Sequence, residues 1–161
     1  MNAAPLAMLL AAAPMVPAFE VMTADEQKLT LAQVKGRAWV FWYEGPDTAE
    51  LNDGAKVELT ALFASLPEDR RPRLVAVGDV SSYDFWPARG FAGRQLRTFE
   101  RKYKHPIYGD WSGSLREGMG FRKNESNLLF VDAEGKVLFH ATGKVTAAQL
   151  EQVKALVRGE R

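Results

Sequence analysis

The chain has 161 residues, 47% hydrophobic and 25% charged, with 21 Lys and Arg against 20 Asp and Glu, two histidines and no cysteine. This is enough for one hydrophobic core and too little for two, and a net charge of +1 gives no electrostatic reason to expect nucleic acid or an acidic membrane surface as a partner. Without cysteine there are no disulfides, thiolate nucleophiles, Cys-ligated zinc, iron–sulfur clusters or thiol redox chemistry.

The first 19 residues are uncharged and Asn2 is their only polar side chain. Pro5, Pro14 and Pro17 argue against a membrane-spanning helix, since the proline-free stretch 6–13 is far short of the roughly 20 residues a span needs. The block has the small apolar character of a secretory signal core but lacks the basic start, so residues 1–16 read either as a signal remnant or as an apolar arm resting on its own domain or on a second copy. An exported and a cytoplasmic location both remain open. Residues 17–161 form the single domain.

Phe19 to Thr23 alternates like an edge strand, and Leu29 to Gly36 reads as a connection. Ala38 to Tyr43 (AWVFWY) is an unbroken apolar run, the pattern of a strand buried on both faces. Gly45 and Pro46 end it. A helix is expected from about Asp47, with Leu51, Ala55, Leu59, Leu62 and Leu66 at helical spacing. Arg73 to Asp79 is a second core strand, followed by an aromatic loop (SSYDFWPARG) and a helix from Phe91 to Lys104. Pro106 to Tyr108 reads as a short strand and Leu115 to Met119 as a short helix. Asn127 to Asp132 and Lys136 to Ala141 form a hairpin turning at 133–135, and Thr146 caps a last helix. The order implies an α/β fold: parallel crossovers first, an antiparallel hairpin last, and a mixed sheet with helices on both faces.

This order, with Lys35–Gly36, Phe41–Trp42, Gly45–Pro46 and the hairpin LLFVDAEGKVLFHATG, resembles the thioredoxin-like superfamily, in particular its peroxiredoxins and exported thioredoxin-like reductases. The resemblance spans about residues 17–158. In that family the strand matching AWVFWY runs into Trp-Cys-Gly-Pro-Cys. On the shared Gly–Pro, Glu44 and Asp47 stand at the two cysteine positions, and Ser126 stands where the family places a cis-proline. The resemblance therefore implies the fold, and the vacated positions imply that the family's redox activity is lost.

A helix N-terminus favours an anion, so carboxylates at a helix start gain about 0.3–1 kcal/mol each. Glu44 and Asp47 can be simple helix-start residues. Alternatively, with Glu50 they form an acidic cluster for a cation, or an acid/base pair of an enzyme, although no nucleophile or oxyanion donor accompanies them. Ligands on open α/β sheets bind beyond the carboxyl ends of the parallel strands. Tyr43, Tyr83, Phe85, Trp86, Arg89 and Trp111 should meet on that edge, either as packing or as a surface for a protein or peptide. Charge is segregated, with seven acids and only Lys56 between Glu44 and Asp69, against Arg94, Arg97, Arg101, Lys102 and Lys104 on the following helix. This is a solvated face or a basis for self-association. His105 and His140 have no ligand spacing, Ser112 lies in no nucleophile elbow, and no phosphate loop is present, so no metal or cofactor is expected. The reading is a redox-inactive binding or assembly module, with an enzyme or cation site at Glu44 and Asp47, or a self-assembling component, as alternatives.

Overall fold

A computed structural model describes residues 14–160. Strands β1 (Glu20–Met22) and β2 (Lys28–Thr30) pair antiparallel and lead into a single-turn helix α1 (Leu31–Val34). Strands β3 (Trp39–Glu44), β4 (Arg73–Asp79) and β5 (Tyr108–Asp110) are parallel. They are joined by helices α2 (Asp53–Ser65) and α3 (Ala88–Tyr103), and α4 (Ser114–Met119) leads to the hairpin β6 (Asn127–Val131) and β7 (Val137–Thr142) before the closing α5 (Ala147–Val157). The sheet order β2-β1-β5-β4-β3-β6-β7 gives the mixed sheet that the sequence implies. No helix among the described residues is long and apolar enough to cross a membrane.

β3 is central, and every residue in it is buried. Its alternation divides the core in two. Trp39, Phe41 and Tyr43 enter a cluster with Val16, Phe19, Val34 and Leu115, while Val40 and Trp42 enter a cluster under α2, α3 and α5 with Leu59, Leu96 and Val153. Each such large apolar side chain stabilises the fold by about 1.5–3 kcal/mol. The arm's residues 14–16 lie against the β6–β7 turn, with Val137 N donating to the Pro14 carbonyl (2.8 Å) and Val16 N to that of Gly135 (2.9 Å), and Val16 joins the first cluster. Residues 1–13, which carry most of the arm or signal reading, lie outside the described residues.

Three sequence expectations need correction. The segment 19–23 is not an edge, because β1 lies between β2 and β5 and the edge is β2. The connection 29–36 holds the end of β2 and α1, where Thr30 N donates to Gln33 Oε1 (2.8 Å). Helix α2 starts at Asp53 rather than Asp47, because residues 45–53 close successive three-residue turns: Thr48 N to Gly45 O, Leu51 N to Thr48 O and Asp53 N to Glu50 O. Asn52 holds φ −114° and ψ 27°, outside the helical range, while its side chain bonds to Ser126, Gly143 and Val145 across the fold. The closing helix agrees with expectation. Gln149 N donates to Thr146 Oγ1 (3.1 Å) and Thr146 N to Gln149 Oε1 (2.9 Å), a reciprocal cap.

Where β5 meets α4, Asp110 is fully buried and accepts from Tyr43 Oη (2.9 Å), Gly113 N (3.1 Å) and Arg116 N (3.0 Å). Burial and the Asp110 charge push the Tyr43 hydroxyl far above its ordinary range, so it stays a neutral donor. Asp110→Ala strands three donors and should cost about 2–4 kcal/mol in urea denaturation, against about 1 kcal/mol for Tyr43→Phe. Equal costs would show that Asp110 is not the junction between β5 and α4.

Candidate functional site

Glu44 ends β3 on the side facing α2, only 8% exposed. One carboxylate oxygen accepts from Ser126 Oγ (3.0 Å) and the other from Lys56 Nζ (2.7 Å). Ser126 in turn accepts from Asn52 Nδ2 (3.0 Å), which also donates to the Gly143 carbonyl, and Asn52 Oδ1 takes Val145 N (2.9 Å). The Lys56 ammonium donates as well to the Ala49 carbonyl and lies 4.6 Å from the Tyr103 ring centroid and 5.4 Å from that of Trp42. The structure thus brings Glu44 and Ser126 into contact. Asp47 is exposed in the turns and has no side-chain partner among the described residues. Neither carboxylate is a helix-start residue, because α2 begins six residues beyond Asp47.

Burial pushes the Glu44 carboxyl above its ordinary 4.5, against the opposing pull of Lys56 and Ser126. The third acid of the expected cluster points elsewhere: Glu50 pairs with Lys102 (2.6 Å). Among the described residues no group of three acids or histidines could hold a metal ion. Asp53 opposes burial with bonds from Lys102 (2.8 Å) and Tyr103 Oη (2.6 Å), which hold its carboxyl below the usual range. These contacts clamp the last turn of α3 to the first turn of α2.

The residues expected on the carboxyl edge divide into three groups. Tyr43 faces the opposite core and binds Asp110, so it is no part of that edge. Trp111 is half-buried, donating Nε1 to the Met22 carbonyl (3.1 Å), with the Arg89 guanidinium 4.4 Å from its ring centroid and Asp84 paired to Arg89. Tyr83 is half-buried against Phe91 (6.5 Å between centroids). Phe85 and Trp86 stand out in solvent, 60% and 91% exposed.

Between α2 and α3 a cleft of about 670 Å³ reaches down to β3 and β4. Sequence reading missed it. The signal for it is faint: α2 carries a second apolar row, Val57, Ala61 and Ala64 at i, i+4 and i+7, beside the core-facing row. At one end lie Glu44, Lys56, Tyr103 and His105.

Breaking a buried ion pair costs more than replacing both partners. Lys56→Met should cost about 3 kcal/mol in urea denaturation, and Glu44→Gln/Lys56→Met should return to within about 1 kcal/mol of the parent. The Glu44 carboxyl titrates higher in the fold than in the unfolded chain. Its contribution is therefore complete below the ordinary 4.5 and is lost as pH rises through the folded value. The parent's stability relative to Glu44→Gln should decline as pH rises above the ordinary 4.5, and a rise there would refute the burial argument.

No protein-family model and no curated protein sequence matches the chain. Solved structures do. The pneumococcal exposed lipoprotein thioredoxin of Streptococcus pneumoniae is 20% identical over 87% of this chain and 99% of its own, with TM-score 0.59. The bacterioferritin comigratory protein of Xanthomonas campestris, described for alkyl peroxide reduction, is 15% identical over 88% and 90%, with TM-score 0.64. A thiol-disulfide oxidoreductase of Bacteroides fragilis is 14% identical over 89% and 99%, with TM-score 0.64. At this identity the likeness concerns the fold. The protein has a thioredoxin-like fold, built by a chain in which no cysteine is present.

Proposed function

We propose that this chain is a redox-inactive thioredoxin-like binding module whose contact surface is the loop at residues 84–87, on the carboxyl edge of the sheet, and whose partner is a protein or peptide. The observation that carries this reading is the pair Phe85 and Trp86, projecting on a loop whose base is held by the Trp111, Arg89 and Asp84 contacts. Large aromatics left in solvent have apolar area to bury on docking, and such residues anchor interfaces. Glu44 supports the same reading from the opposite direction. Both its oxygens are occupied within the chain and Asp47 is exposed with no side-chain partner among the described residues, which favours a binding module over an acid/base pair or a cation site at these positions. The self-assembly reading has less behind it, since the described residues of the arm bond to the turn of their own chain.

Phe85→Ala and Trp86→Ala should leave stability within about 0.5 kcal/mol of the parent, as the side chains are exposed. A photoreactive benzoylphenylalanine at position 86 should give a discrete adduct in cells, while the same group at exposed Leu138 should not. In the purified pair, Trp86→Ala should weaken the complex by about tenfold or more. No adduct, or equal adducts from both positions, would make the loop mere surface.

A further inference from the structure

We propose that the cleft between α2 and α3 is a binding site for one neutral, mainly apolar small molecule carrying a hydroxyl-type donor. Tyr83 and Phe91 at the flanks of the contact loop line the cleft, but Phe85 and Trp86 do not, so its test is independent of that reading.

The first argument is space. Protein interiors close over their sheets with few voids larger than a water molecule, whereas about 670 Å³ lies within the roughly 300–1,000 Å³ range of small-molecule sites. The cleft reaches the sheet itself. β4 is an inner strand, yet Leu74 and Gly78 keep partial exposure, and the cleft-facing row Leu74, Ala76, Gly78 shrinks toward the carboxyl end. Small residues on α2 leave the opposite wall low, and Val57 and Phe91 stand exposed beside the opening at 70% and 48%. A space this deep suits a small molecule, because a helix laid across the opening would leave the floor beneath it unfilled.

The second argument is charge. The charged groups lining the cleft are each paired within the chain: Glu44 with Lys56 (2.7 Å), Asp53 with Lys102 (2.8 Å) and Asp79 with Arg116 (3.1 Å). A charged ligand would have to break one of these pairs or be buried without a counter-ion, and both are costly. Uncharged polar side chains line the cleft too, Thr60, Tyr83 and Gln95 along it and His105 at its polar end. His105 Nδ1 lies 3.0 Å from the Pro106 carbonyl, which can only accept, so Nδ1 carries the proton and Nε2 keeps a lone pair. Nε2 has no partner among the described residues, and His105 lines the cleft at its polar end. A neutral ligand with a hydroxyl group meets both conditions.

The test uses the full chain and the neutral dye N-phenyl-1-naphthylamine. Its fluorescence should rise saturably at one dye per chain and be reversed by 1-decanol, while decanoate and decyltrimethylammonium should compete at least tenfold less well. Ala61 is exposed on α2, so Ala61→Trp fills the cleft without touching the core and should weaken dye binding at least tenfold. Ala64→Phe is the second filling variant should the first fail to fold, and Trp86→Ala should bind the dye as the parent does. Absence of saturable binding would overturn the proposal, as would unchanged binding in the folded filling variants or equal competition by decanoate. A self-association in sedimentation that the filling variants abolish would also overturn it, by giving the cleft to a second copy.

Discussion

A carboxylate at the end of the central strand, under a helix, can remain ionised only if a cation follows it inside, and the Glu44–Lys56 pair is the constraint around which this edge of the fold is arranged. Lys56 sits in the first turn of α2, so the helix must begin where its ammonium reaches Glu44. The turns at 45–53 accommodate that position, and Asn52 binds their end to the loop at 143–145. Ser126 completes the carboxylate's shell from the start of β6. Four separate chain segments thus meet in one hydrogen-bonded network. It is a lock that consumes its own polar groups.

The opposite face is tied by Asp110, and the reason lies in the pleat. Adjacent residues of a strand point to opposite sides, so Tyr43 and Glu44 cannot serve the same site. Tyr43 reaches Asp110 beneath α4, and Glu44 reaches Lys56 beneath α2. Grouping Tyr43 with Trp86 and Trp111 because they lie on one edge ignores this period of two. The same alternation explains how a run as apolar as AWVFWY supplies both faces of the sheet's core.

What the sequence makes legible is local. The runs of β3 and β4, the spacing of Ala92, Leu96 and Phe99 on α3, the Asp132–Gly135 turn and the Thr146–Gln149 cap each depend on neighbours within a few residues. Less legible are features set by distant partners. Asn52 leaves the helix because of residues more than 70 positions away, and β1 becomes an inner strand only because the three-residue β2 lies outside it. The cleft is harder still. It is made of what is missing, small side chains on the α2 wall and on the β4 floor, and no periodicity records an absence.

The segregated charges of the sequence find their use at this same place. The acids after Glu44 and the bases of α3 are not two remote faces, since Glu50 and Asp53 meet Lys102 where the two helices touch. The clamp closes that end of the cleft and neutralises it, while Arg94, Arg101 and Lys104, on the other side of α3, have no ion-pair partner among the described residues. Helices fixed at one end by ion pairs need not pack along their whole length, so small residues further along can leave space between them without separating the layers. The pairing that removes charge from this edge is therefore also what allows an apolar opening to persist beside it.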